Sequence, residues 1–260
     1  MADPLSDFVG LTRAALVAAG FVRRERSGLV WFEGGSGTPV VLVHGANDQA
    51  GTWAAVARSL VQRHHVVIPD LAGHGESEPQ SGPIPIPLIV EKLHAVIGDL
   101  ENITLAGNSL GGWIVLLYTL AHPDRVAQLV LESGGGLNIP LAMPLIATNR
   151  DDARMMLRAV HGPNAVLPEW SIDALIARAT NSPMLRLTEL DTNFVDGRLH
   201  EVKTPTTIIW GHDDGVVPRH YVEALRNGIQ GATLQIIEGA AHIPHAQQPE
   251  RFLACLPAIS

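Results

Sequence analysis

Ile103-Thr104-Leu105-Ala106-Gly107-Asn108-Ser109-Leu110-Gly111-Gly112-Trp113-Ile114-Val115 is the stretch on which the fold turns. Its first four residues form a short apolar run that reads as a strand. From Leu110 an apolar helix runs to Ala121. Between them lies G-x-S-x-G, Gly107 to Gly111. In a strand–turn–helix the turn residue is held in a strained backbone, and its side chain is pushed above the sheet. Glycines two residues to either side relieve clashes with the neighbouring strand and helix. The helix start adds free N–H groups and a positive dipole end. A serine so placed is a candidate nucleophile.

Working outward, similar apolar runs recur at Val40–Val43, Val66–Pro69, Val126–Leu131, Thr206–Trp210 and Thr233–Ile237. Continuous rather than alternating apolar character suits strands covered on both faces, hence a parallel sheet. Helical stretches separate them at Thr52–Gln62, Pro87–Leu100, Arg219–Gly228 and Pro249–Leu256. That alternation predicts an α/β doubly wound fold. Val30–Glu33 reads as an additional edge strand, residues 4–20 as an amphipathic surface helix, and Gly34–Gly37 and Gln80–Pro87 as loops. No strand is evident from Leu137 to Leu199. Helix signals stand there instead: Asn149 as an N-cap before Arg150-Asp151-Asp152, Pro168 opening a second segment, and Pro183 near a third. The expected organisation is a core of residues 1–136 and 200–260, with 1–25 as a helical extension, and a helical lid over 137–199.

A serine hydroxyl needs a base to take its proton, and the base needs an orienting acid. After a strand–turn–helix serine the order along the chain is Ser, acid, His. Asp213 and Asp214 both follow the strand ending at Trp210; spacing favours Asp214. His242 and His245 both follow the strand ending at Ile237; position favours His242. His44-Gly45-Ala46-Asn47 follows Val40–Val43, where a fold of this kind is expected to supply an oxyanion loop. The backbone N–H groups of Ala46 and Leu110 are the expected donors, each worth about 2.7–4 kcal/mol. His44 is expected to brace that loop. No metal or other cofactor is expected, because His242 and His245 lack further ligands at metal spacing.

Across residues 28 to 256 the chain resembles the α/β-hydrolase superfamily. The resemblance is carried by HG at 44–45, DLAGHGES at 70–77, GNSLGG at 107–112, WGHDDGVVP at 210–218 and GAAH at 239–242, in the family's order. It implies a mostly parallel sheet with a helical lid inserted between two strands, and ester cleavage by a Ser109–His242–Asp214 triad. It also implies that 70–77 is a structural turn. Two subgroups are similar. The interval with Pro144-Leu145-Ile146 and Asn149–Arg154 resembles lipase-like carboxylesterases and monoacylglycerol-lipase relatives. GNSLGG with Gly134–Leu137 resembles meta-cleavage-product C–C hydrolases, whose glycine-rich oxyanion loop reads HGANDQAG here. Serine as nucleophile argues against epoxide hydrolases and haloalkane dehalogenases.

The chain has 260 residues, 46 % of them apolar and 17 % charged, enough to bury a sizeable core and too apolar for disorder. A net charge of −8 without a Lys/Arg cluster argues against nucleic acid as a partner. No apolar run reaches the ~20 residues that span a bilayer. A lone Cys255 makes no internal disulfide, and the N-terminus lacks the charge order of a signal peptide, so a cytoplasmic location is expected. Oligomeric state has no signal in the sequence.

The expected substrate is a small ester with an apolar group, met by Asn47 and by Met143, Ile146, Met155 and Trp170 of the lid. A C–C hydrolase of vinylogous diketo acids is the second reading, with Arg150, Arg154 and Arg158 as cations for a carboxylate. A non-catalytic or single-turnover ligand receptor on the same fold is the third.

Overall fold

In the computed structural model, residues 4–259 are described. The chain opens with helix α1 (Pro4–Ala18) and strands β1 (Val22–Arg26), β2 (Leu29–Gly34) and β3 (Pro39–Val43). Helix α2 (Ala54–Leu60), strand β4 (His65–Pro69), the two-residue strand β5 (Ile84–Pro85) and helix α3 (Ile86–Ile97) follow. Next come β6 (Ile103–Asn108), α4 (Leu110–Ala121) and β7 (Val126–Glu132). Helices α5 (Arg150–His161) and α6 (Glu169–Arg178) and the short strand β8 (Leu187–Thr188) are inserted before β9 (Thr206–Gly211). The chain closes with α7 (Arg219–Gly228), β10 (Thr233–Ile237), α8 (Pro244–Gln247) and α9 (Pro249–Cys255).

Eight strands form one sheet in the order β1-β2-β4-β3-β6-β7-β9-β10. β1 with β2 and β2 with β4 are antiparallel, and the rest of the sheet is parallel. The apolar runs explain why. Val41 and Val43 bury into the layer built with α3, α4 and α7, and Val40 and Leu42 into the layer built with α1, α2 and α9. The inner parallel strands therefore feed two cores, which needs apolar residues at consecutive positions, whereas the edge strand β10 alternates and exposes Thr233 and Gln235. α4 is apolar almost all round and lies inside, with Leu110 to Leu116 buried.

Four sequence expectations change. Val30–Glu33 lies inside the sheet, because β1 covers it. β1 reads Val-Arg-Arg-Glu-Arg and is exposed throughout, so it carries no apolar signal; its charges blunt the sheet edge. Residues 1–25 consequently do not form a purely helical extension. The expected 80–87 loop ends early: β5 pairs with β8, and α3 starts at Ile86 with Pro87 in its first turn, where a missing N–H costs nothing. β8 is also a strand, though of two residues, within the interval read as strand-free.

α1 is amphipathic, with Leu16 fully buried and Leu11 exposed. Its Arg13 also ties it to the body. The guanidinium donates to Asp70 Oδ2 at 2.6 Å and to Gln49 Oε1 at 3.0 Å, and also pairs with Glu76. Asp70 in turn accepts from the N–H groups of Ala50 (2.7 Å) and Glu76 (2.8 Å). The carboxylate thus fixes the 70–77 turn and the loop after β3, both beside the ends of parallel strands.

Candidate active site

Ser109 stands between β6 and α4 at φ 53° and ψ −116°. A non-glycine residue there is strained and needs its surroundings to hold it. Ser109 N donates to Glu132 O at the end of β7 (2.8 Å), and Trp113 N donates to Ser109 O (3.2 Å). The flanking glycines have the expected cause. A Cβ on Gly107 would strike Gly111 O, and one on Gly111 would strike Val43 O. From Ile103 to Leu116 every residue except Ser109 is buried. The turn lifts one side chain of an otherwise sealed segment to the surface.

Asp214 follows β9. Its Oδ1 accepts from the N–H groups of Val216 (2.9 Å) and Val217 (3.0 Å), which aims the carboxylate. His242 Nδ1 lies 3.1 Å from Oδ1 and 3.0 Å from Oδ2, with both side chains nearly sealed from solvent. That bond fixes the tautomer of His242 and turns Nε2 to the opposite side of the ring. Asp213 points away to His212 Nδ1 (2.8 Å) at the surface, and this bond raises the His212 pKa. Asn108 Nδ2 donates to His242 O at 3.0 Å, joining the residue before Ser109 to the histidine loop. The structure therefore draws Asp214, His242 and the Ser109 turn together.

His245 faces elsewhere. It is fully buried, with Nδ1 2.7 Å from Glu132 Oε2. Sequence reading missed Glu132; a carboxylate ending the apolar strand Val126–Glu132 was its only signal, since an acid sealed there requires a partner.

The loop after β3 packs on the Ser109 turn. A Cβ on Gly45 would lie 3.2 Å from Ser109 Cβ and 2.8 Å from Asn108 Oδ1, so glycine allows the approach. His44 braces the loop, with Nδ1 to Gly45 O (2.7 Å) and Nε2 accepting from Leu71 N (3.0 Å). Beside it, burial and the neighbouring His44 push the His74 pKa down to about 3. Ala46 is half-buried next to Gly45, and Leu110 N–H is the first of α4, a position without an intrahelical acceptor. Asn47 has φ 59°, and its Oδ1 accepts from Ser182 Oγ at 2.7 Å.

Two more contacts bind the insertion to these loops. Val160 O accepts from His242 N and Ala159 O from Gly215 N, both at 3.1 Å. Next in sequence, His161 O accepts from Gln247 Nε2 at 2.8 Å. Three carbonyls at the end of α5, orphaned by helix geometry, are thus satisfied by the acid and histidine loops.

The apolar insertion residues divide. Met143 packs on the insertion's own small core of Ala147, Ala153, Met156 and Ile172, and Ile146 is half-buried. Met155 is exposed, and the Trp170 ring lies 6.2 Å from Phe8 of α1. The arginines serve the insertion itself. Arg150 pairs with Glu169 and Asp173, Arg154 pairs with Asp151 and Glu169, and Arg158 is exposed.

Residues 40–254 match the family described as the alpha/beta hydrolase family. The chain belongs to that family. This hydrolase is 29 % identical to Lipase 1 of Psychrobacter immobilis, over 83 % of the chain and 75 % of that lipase. It is also 29 % identical to the 2-hydroxy-6-oxononadienedioate/2-hydroxy-6-oxononatrienedioate hydrolase of Escherichia coli K12, over 82 % of this chain and 83 % of that one. A solved structure of a membrane phospholipase A superposes with a TM-score of 0.82 at 24 % identity, covering 96 % of this hydrolase and 89 % of that chain; this likeness is one of fold. No helix among the described residues of the hydrolase is long and apolar enough to cross a membrane.

Proposed function

We propose that this hydrolase cleaves small carboxylic esters bearing an apolar group, through an acyl-enzyme on Ser109. The observation that carries the reading is the His242 imidazole held at Nδ1 by Asp214, on a loop tied by Asn108 to the strained Ser109 turn. Ser109 attacks the ester carbonyl while His242 Nε2 accepts its proton. Asp214 keeps the tautomer and stabilises the imidazolium. The N–H groups of Ala46 and Leu110 bind the oxyanion. His242 then protonates the departing alcohol, and water repeats the cycle on the acyl group. Residues 137–199 serve as the lid, with Asn47 and Ile146 towards the substrate.

The test is turnover of p-nitrophenyl butyrate and labelling by a fluorophosphonate. Ser109→Ala abolishes both; turnover retained in that variant overturns the assignment. Likeness to the E. coli hydrolase supports a second reading, C–C bond hydrolysis of a vinylogous diketo acid. That substrate carries a carboxylate, and the engagement of Arg150 and Arg154 in ion pairs between α5 and α6 favours the ester. Turnover of a diketo acid faster than of p-nitrophenyl butyrate reverses the order of the two readings.

A further inference from the structure

The loop bearing His242 holds a second imidazole that ester cleavage does not use. His245 N donates to Glu132 Oε1 at 2.8 Å, and its Nδ1 lies 2.7 Å from Glu132 Oε2. Its Nε2 lies 3.1 Å from Thr52 Oγ1, and its ring stacks on Trp53 with centroids 3.9 Å apart. Both side chains of the Glu132–His245 pair are 0 % exposed. Sealing a carboxylate and an imidazole away from water is costly, and apolar residues of similar volume would hold a loop at no such cost. What the polar pair adds is direction. One carboxylate bonds both the main chain and the ring of the same residue, and Trp53 sets the plane of that ring.

The place of Glu132 in the sheet shows what is being directed. It ends β7, between β6, which leads into Ser109, and β9, which leads into Asp214. Its main-chain oxygen accepts from Ser109 N at 2.8 Å. Glu132 therefore holds the nucleophile turn by its backbone and the base loop by its side chain. Only Ile243 and Pro244 separate His242 from His245, and α8 begins at that proline. A short, fixed segment passes any shift of His245 on to His242.

We propose that Glu132 and His245 are positioning residues that set the His242 imidazole against the Ser109 hydroxyl. The inference rests on the roles proposed above for Ser109 and His242. A bond network in a low-dielectric interior is stiff, and a displacement of about 1 Å at the reacting groups costs on the order of 100-fold in rate.

The experiment uses the full chain, with Glu132→Gln and His245→Gln made singly and together. It measures kcat and KM for p-nitrophenyl butyrate, the rate of fluorophosphonate labelling, and thermal unfolding, with kinetics well below each melting temperature. In both single variants kcat and the labelling rate fall on the order of 100-fold, while KM stays within about twofold, as expected where only transition-state stabilisation is lost. The double variant loses no more than the worse single one, because both changes act on the same Glu132–His245 pair. A folded Glu132→Gln protein with unchanged kcat overturns the inference and leaves the pair a structural clamp. Should Glu132→Gln not fold, Thr52→Val reads the same chain of bonds from its far end. There kcat falls about fivefold at constant KM, the equivalent of one ordinary hydrogen bond, and unchanged kcat again overturns the inference. Turnover that survives Ser109→Ala fails the underlying functional reading. Ser109-dependent turnover that ignores Glu132→Gln fails this inference alone.

Discussion

The segment after β10 carries two histidines three residues apart, each held at Nδ1 by a carboxylate at or just beyond the end of another strand of the sheet. They differ in what lies beyond the ring. His245 meets Thr52 and Trp53 and is sealed. His242 lies on the side of the loop tied to the Ser109 turn. In the proposed mechanism the same pair of functional groups makes a base in one setting and an anchor in the other. The carboxylate orients the ring in both, and access to Nε2 decides whether the ring can move a proton.

Breaking the Asp214–His242 pair has the largest expected effect. Asp214→Asn keeps the shape of the site but removes the charge that orients and stabilises His242, so kcat falls about 10⁴-fold with the fold intact. Steady-state kinetics and circular dichroism check this together. Asp213→Asn is the contrast beside it: its carboxylate serves surface His212, and kcat stays unchanged.

Breaking the sealed pair acts on stability as well as on kcat. Removal of one partner strands the other in the interior, a loss of about 3–5 kcal/mol. Denaturant unfolding of His245→Ala reads it directly, and a loss below about 1 kcal/mol contradicts the burial of the pair.

How much of this was legible in the sequence depended on how local each cause is. The Ser109 turn was readable because a strand, five residues and a helix suffice to build it. Asn149 was readable as a cap for the same reason, and its Oδ1 accepts from the N–H groups of Asp151 (2.9 Å) and Asp152 (3.0 Å). Spacing favoured Asp214 over Asp213, but what separates them is the pair of N–H groups from Val216 and Val217 that turn one carboxylate inward. β1 was hidden because an exposed, charged edge strand has no apolar periodicity. The Glu132–His245 contact joins positions far apart in the chain; the acid ending an apolar strand signals that Glu132 needs a partner, but nothing nearby says that His245 is it.

A smaller effect comes from a third kind of buried histidine, one with no carboxylate. His74 is held near pKa 3 by burial, against about 6.5 in an unfolded chain. Its folded pKa is the lower one, so its neutral form contributes fully above about pH 6.5, and stability falls as pH drops towards 3. By pH 5 this amounts to about 2 kcal/mol. Unfolding midpoints at pH 7 and pH 5 show the loss, and His74→Gln flattens it. Smallest is Asn149→Ala, which removes the α5 cap and costs about 1 kcal/mol, read by the same unfolding curves.

The end of α5 bears on how such an enzyme can be altered. Ala159, Val160 and His161 lend their carbonyls to the loops of Asp214 and His242, so the inserted segment is not a detachable module. A chimera that exchanges residues 137–199 for those of a relative to change substrate range also exchanges part of the scaffold behind Asp214 and His242. The graft that spares turnover is one whose seam falls before this last helical turn.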